Sequence, residues 1–305
     1  MSQDYIRRDL WTQGALCLSF TLVLMGCSPS ASRQEPPTAS GFTARPLPAR
    51  VPPQNSSRDW EPINEQRENP PLSSSTRSIV TLAAGVKRVN SRGVALTFLL
   101  FDDREYKIAV ADKERGPATE WLTAQAAAIS HGAVASINGG FFTPEGEPLG
   151  LVIENGKRIG SWNSQSSLAS GLLSVEKFPR LLRRQYWRSF SPTRHLLQTG
   201  PFLVENNVEV RDLNDREARP RSFIAWNGRH RWAFGFAEGA TLAGLGSALA
   251  AQPLSEINIT TAINLDGGRS SDLWVSPEIP GGGLSTRKIW NSPVRNYLLL
   301  VPGRP

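Results

Sequence analysis

The chain has 305 residues, 34 Lys and Arg against 27 Asp and Glu, a formal net charge of +7 and 39% hydrophobic residues. That size and apolar content can close a sizeable core, which excludes a wholly disordered chain and a disulfide-stapled miniature. Only two cysteines (Cys17, Cys27) and three histidines (His131, His195, His230) are present, none in a ligand-like spacing, so a zinc site is not expected.

The N-terminus reads as a targeting segment. Arg7 and Arg8 precede a largely apolar stretch over residues 15–25. It is short for a membrane span and of the right length for a signal-peptide core. The stretch ends in Leu24-Met25-Gly26-Cys27, which resembles the lipobox of bacterial lipoproteins. That resemblance implies residues 1–27 as signal peptide and lipobox, with Cys27 lipidated as a membrane anchor. Ser28 follows, where an aspartate would retain the protein at the inner membrane, so the expected location is the periplasmic face of the outer membrane. Residues 28–76 are rich in Pro, Ser, Arg, Glu, Gln and Asn and lack long apolar runs, as a disordered tether would. Residues 77–305 are the expected globular domain.

Within that domain residues 94–100 and 106–111 have strand character, split by a turn at Asp102-Asp103-Arg104. Residues 117–130 predict a helix, with Pro117 in its first turn and Gly132 past its end. A short strand over 133–137 runs into Asn138-Gly139-Gly140. Hairpins are expected at Asn155-Gly156, Asn206-Asn207 and Asn227-Gly228. Thr241 can cap a helix over 242–250. A β run over 257–265 ends at Asp266-Gly267-Gly268, followed by strand-like 271–275 and a last strand over 295–301. Many hairpins and two clear helices predict a single α+β domain of mostly antiparallel, hairpin-rich sheets with a few packed helices.

The two glycine-rich strand ends carry the chemistry. In each, an apolar strand delivers a polar side chain to its end, and two glycines let the chain turn and a ligand approach main-chain N–H groups. An ordinary turn explains either one alone. The order Asn138-Gly139-Gly140-Phe141-Phe142, Gln198-Thr199-Gly200-Pro201, Arg219-Pro220-Arg221-Ser222 and Leu265-Asp266-Gly267-Gly268-Arg269-Ser270-Ser271 resembles the phosphodiester glycosidase family. Gly150-Leu151-Val152-Ile153 and Pro293-Val294-Arg295-Asn296 look like the family as well. Arg269 departs from it, standing where a third glycine is usual.

The resemblance implies hydrolysis of a sugar-1-phosphodiester. Cleavage at the anomeric carbon develops oxocarbenium character, which a carboxylate stabilises; Asp266 is the residue expected to supply it. The leaving phosphate departs as an anion, so a cationic clamp matters more than a strong acid. Arg221 is the expected clamp, with Arg219 and Arg269 behind it. Asn138, Gly139, Gly140, Phe141, Gln198, Gly267, Gly268 and Ser270 are the expected substrate contacts, and Glu147 is a second carboxylate to test. No cofactor motif is evident and no metal site is expected, while a divalent cation stays open. The basic, aromatic run from Arg180 to His195 fits envelope polyanions or phosphorylated glycans, or a solvated loop; no nucleic acid is expected of an exported protein. The alternatives are a lipoprotein that binds phosphoglycan or cell-wall polymer without turnover, or a structural envelope protein.

Overall fold

The computed structural model describes residues 83–188 and 192–303. The signal segment with Cys27, the tether and the expected boundary at residue 77 lie outside them. β1 (Gly85–Ser91), β2 (Val94–Asp102) and β3 (Tyr106–Asp112) lead into α1 (Ala124–Ser130) and β4 (Ala135–Asn138). β5 (Val152–Glu154), β6 (Lys157–Ile159), β7 (Gly171–Val175), β8 (Pro179–Arg183) and β9 (His195–Thr199) follow. Then come β10 (Phe202–Glu205), β11 (Val208–Glu209), β12 (Arg219–Trp226), β13 (Arg231–Ala240) and α2 (Leu242–Ala250). β14 (Thr261–Asn264), β15 (Leu273–Val275), β16 (Leu284–Ser285) and β17 (Asn296–Pro302) complete the described chain.

These strands build three sheets, ordered β1-β2-β13-β12-β14-β10-β11, β16-β15-β4-β17-β3 and β6-β5-β9-β7-β8. Every pairing between them is antiparallel. The mostly antiparallel sheets are as expected, and with two α-helices among the described residues the fold is more β-rich than a balanced α+β domain.

One apolar core joins all three sheets. Leu99, Phe101, Ile224 and Phe234 enter it from the first, Ile137 and Leu298 from the second, Leu173 and Leu197 from the third. Alternation along β2 sends Phe98 and Leu100 to the opposite face, where they meet Leu245, Ala248 and Leu249 of α2. The small α1 residues Ala124, Ala127 and Ala128 cover Ala111, Tyr297 and Leu299 in the same way. A sheet buried on both faces reads as a nearly continuous apolar run, and β2 does.

All three Asn-containing turns are hairpins, joining β5 to β6, β10 to β11 and β12 to β13. The turn after Asp102 separates two strands as expected, but they do not pair: β2 stays in the first sheet and β3 in the second. One expectation needs correction. The first helix begins at Ala124, not near Pro117. Thr123 fixes its start by accepting from Ala126 N (3.0 Å), and Asp272 Oδ2 accepts from Ala124 N (2.8 Å). Upstream, the Pro117 carbonyl is taken by the buried Lys113 ammonium.

Candidate active site

The ends of β4 and β14 meet. Asn138, the last residue of β4, is fully buried. Its Nδ2 donates to the Asp266 carbonyl (2.7 Å), while Oδ1 accepts from Ser222 Oγ (2.6 Å) and Asp272 N (3.0 Å). The next carbonyl, on Gly139, accepts from Asp266 N (3.0 Å). The Gly139 and Gly140 amides donate in turn to Asn296, one to its carbonyl and one to Oδ1 (2.8 Å each). A Cβ at Gly139 would sit 2.2 Å from Asn296 Oδ1, so the backbone approach there needs glycine.

Asp266 is thus held by its main chain, leaving its side chain to the site. Oδ1 accepts from Gly267 N (2.9 Å), and the chain then makes a short 3-10 turn over Gly268–Ser270, entered with Gly268 at φ 63°. Asp266 retains some exposure, but close packing desolvates its carboxyl and pushes its pKa up to about 6. Hydrogen bonds from the Ser270 hydroxyl and the Gly267 amide favour the anion and offset part of that rise.

Arg221 comes to Gly267 from β12, where a bulge shifts the register between Arg219 and Arg221. A Cβ on Gly267 would lie 3.4 Å from Arg221 Nη1. The guanidinium donates through Nε to the Ala240 carbonyl (3.0 Å) and through Nη2 to the Glu217 carbonyl (3.1 Å). Both partners are neutral oxygens, and Glu217's carboxylate pairs with Arg219 instead. Burial first, and then the charge of Arg219, lower the Arg221 pKa from its ordinary value. A half-buried cation without a carboxylate partner among the described residues, its Nη1 beside a glycine turn, suits an incoming anion.

Asn138, Gly139, Asp266, Gly267, Ser270 and Arg221 are therefore brought together. Gln198 is turned away. Its Oε1 accepts from Leu151 N (2.9 Å) and Asn163 N (3.1 Å), and its Nε2 donates to the Asn163 (2.6 Å) and Ala169 (2.9 Å) carbonyls. All four places are filled inside the protein, although its backbone packs on Gly140. Phe141 is half-buried, its carbonyl accepting from Leu149 N (2.9 Å), and Phe142 packs on the α1 cluster. Glu147 is 68% exposed and lies 3.7 Å from Nη1 of Arg295, which is itself paired with Asp112. Arg269 is exposed and donates to Ser292 Oγ (3.1 Å), so it holds the 286–292 segment against the turn.

Sequence reasoning missed three supporting residues: Ser222, Asn296 and Asp272. The first two lie inside quoted motifs but behind more conspicuous arginines. It also missed Glu238, exposed at the end of β13. Glu238 lines a cleft of about 210 Å³ with Pro220, Gly268, Ser271, Lys288 and Trp290. Among the described residues no group of three or more His, Cys, Asp or Glu converges as a metal site would.

The phosphodiester glycosidase family profile matches residues 131–301, which takes in every motif of the site. No curated protein matches the chain. Among solved structures, the zebrafish N-acetylglucosamine-1-phosphodiester alpha-N-acetylglucosaminidase catalytic domain, auto-inhibited by its pro-peptide, is similar at TM-score 0.51 and 17% identity, over 72% of this chain and 82% of that one. A hypothetical protein from Synechocystis gives TM-score 0.48 and 15% identity, over 70% of this chain and 61% of its own. At such identity the zebrafish likeness speaks for the fold.

Proposed function

Because the chain belongs to the phosphodiester glycosidase family, we propose that it hydrolyses a sugar-1-phosphodiester of an envelope or extracellular glycan. The observation that carries this reading is that two groups converge on Gly267: a desolvated Asp266, whose Oδ1 accepts from Gly267 N, and the Nη1 of Arg221, which has no carboxylate partner among the described residues. Water adds to the anomeric carbon as the bond from that carbon to the phosphate oxygen breaks. The bonding pair leaves with the phosphomonoester, whose growing charge Arg221 Nη1 offsets. Asp266, with a pKa of about 6, is mostly ionised at neutral pH. It stabilises the cationic carbon and accepts a proton from water. Asn138 and Gln198 have their polar atoms used internally: Asn138 joins the two turns and Gln198 holds Leu151, Asn163 and Ala169, so neither touches the sugar. Gly139 and Gly140 act through the backbone, and Phe141 is the aromatic nearest the turn in sequence.

The test is incubation with a sugar-1-phosphodiester in ¹⁸O-labelled water. Free sugar carrying the label, with unlabelled phosphomonoester, is the expected outcome. Label in the phosphate would place the cleavage at phosphorus and sink the mechanism. Tight binding of the diester without turnover would favour the binding-only reading.

The same proposal includes Cys27 as the lipidated residue, residues 28–76 as tether and 77–305 as the catalytic domain, at the periplasmic face of the outer membrane. Labelling with a palmitate analogue is expected in the wild type and lost in Cys27→Ser.

A further inference from the structure

The basic, aromatic stretch beginning at Arg180 takes no part in the site around Asp266. Its described residues include most of β8 and a 3-10 turn at Arg184–Tyr186. Trp187 packs on the apolar cluster of Leu151, Ile153, Leu172 and Leu196. Trp162 stacks over it, with ring centroids 5.2 Å apart and planes 21° from parallel. Among the described residues Trp187 Nε1 is buried without a hydrogen-bond partner. Around this pair the surface stays aromatic: Trp162 is 37% exposed, Phe178 50% and Tyr186 66%. Large rings gathered at a surface mark a place where something is bound.

The tryptophan pair is a ridge between two grooves. On the Trp187 side a groove of about 250 Å³ is lined by Phe178, Arg180, Tyr186 and Arg188, with Glu176 its one acid. On the Trp162 side a groove of about 480 Å³ is lined by Pro148, Gly160, Asn163 and Gln165, with Glu147 its one acid. The loop carrying Trp162 is pinned. Arg184 Nη1 donates to the Ser166 carbonyl (2.7 Å) and Asn163 Nδ2 to the Leu149 carbonyl (2.9 Å). Leu149 N in turn donates to the carbonyl of Phe141 (2.9 Å), so one wall of the second groove is the segment that leaves the Gly139-Gly140 turn. Among the described residues neither Arg180 nor Arg188 has a carboxylate partner; Arg188 donates only to the Gln185 and Trp187 carbonyls.

We infer that this face is a second glycan site, which holds an extended stretch of an anionic phosphosugar polymer beside the catalytic turn. Sugar rings lie on Trp162 and Tyr186, whose flat faces accept the apolar C–H side of a pyranose. Phosphates are met by Arg180 and Arg188. The inference takes its ligand class from the proposed function, but none of its residues belongs to the catalytic pair. A polymer held here raises the local concentration of its phosphodiester links near Asp266.

Affinity electrophoresis of the full-length chain carrying Asp266→Asn tests it, with phosphomannan, neutral mannan or inorganic polyphosphate cast in the gel. Phosphomannan should retard the protein, and Trp162→Ala should weaken that retardation about tenfold, the scale of one aromatic contact. The double change Arg180→Ala and Arg188→Ala should weaken it similarly, with unchanged circular dichroism in both variants. Neutral mannan and polyphosphate should each retard less. Retardation insensitive to Trp162→Ala, or polyphosphate retarding as strongly as phosphomannan, would overturn the inference. With Asp266 intact, Trp162→Ala should keep wild-type turnover of a small sugar-1-phosphodiester. If the wild type fails to turn that small substrate over, the catalytic reading falls while the retardation result still stands.

Discussion

Asn138 and Asp266 lie 128 residues apart in sequence, yet the amide of one side chain donates to the carbonyl of the other at 2.7 Å. With Asp266 N on the Gly139 carbonyl (3.0 Å), the two glycine-rich turns are bonded to each other before any ligand arrives. The Asp266 main chain is fixed by these contacts, so its backbone position should survive changes in its own side chain.

Asn138→Ala is expected to be strongly destabilising. It leaves the Ser222 hydroxyl and the Asp272 amide, both buried, and the part-buried Asp266 carbonyl without their partner. Each buried orphan costs about 1–3 kcal/mol, so the total loss should be at least about 3 kcal/mol. Urea denaturation measures it. A loss below about 1 kcal/mol would show that the turns are held by other contacts.

Asp266→Asn should separate stability from activity. A carboxyl raised from 3.8 to about 6 binds its proton more tightly in the folded state. Its contribution to stability is full below pH 3.8 and is lost as pH rises through 6. Removing the charge should therefore stabilise the protein by about 2–3 kcal/mol above pH 7 and by little below pH 4. Turnover should fall by orders of magnitude, and the wild-type kcat/KM should show an acid limb near pH 6. Thermal melts across pH and a pH–rate profile check both halves.

His195 predicts the opposite slope. It is buried, and its Nδ1 lies within reach of the Val110 (3.3 Å) and Asn155 (3.4 Å) amides, which require an unprotonated nitrogen. Burial, and then the charge of Arg194, push its pKa down from 6.5 to about 4. Between those values the unfolded chain binds the proton and the folded chain does not, so stability falls as pH drops from 6.5 toward 4. The decline should amount to about 3 kcal/mol. His195→Asn keeps an acceptor without the titration, and the difference in melting between variant and wild type should vanish above pH 7. A constant difference across pH would refute the assignment.

Hairpins, the α2 cap and the two glycine turns are legible in the sequence because each rests on local chemistry: Asn-Gly and Asn-Asn pairs, Thr241, and paired glycines, of which Gly139 has no room for a Cβ and Gly268 takes a positive φ. The late start of α1 is not, since it depends on Asp272 accepting from Ala124 N, 148 residues away, and on Lys113 taking the Pro117 carbonyl. Nor is the separation of β2 from β3, which depends on which sheet each strand finds. In the site the motifs mark the right segments but not which atoms face outward. Gln198 and Asn138 look like ligands for a sugar, and tertiary contacts take their polar atoms. Arg184, in the basic run, is spent on the Ser166 carbonyl, whereas Arg180 is left to solvent.

Arg221 gives the sharpest kinetic expectation. Its guanidinium is fixed by two carbonyls and packs against Gly267 with Nη1 unpaired among the described residues. The phosphate is anionic before reaction and gains charge as the bond breaks, so the cation holds the substrate and acts more strongly still on the transition state. Arg221→Ala should then raise KM and lower kcat together, with kcat/KM falling by about two to three decades, the scale of a lost charge-assisted donor. Arg221→Lys keeps the charge but loses the fork that grips both Ala240 and Glu217, so its ammonium is free to move off the phosphate. It should recover part of the binding and little of kcat. Asp266→Asn, by contrast, should lower kcat while leaving KM nearly unchanged, because its charge matters most once the anomeric carbon becomes cationic. Steady-state kinetics on one small sugar-1-phosphodiester compares all three variants. If Arg221→Ala changes neither parameter, the phosphate is held elsewhere, and Arg219, which reaches to within 3.9 Å of a Cβ on Gly268, is the next cation to remove.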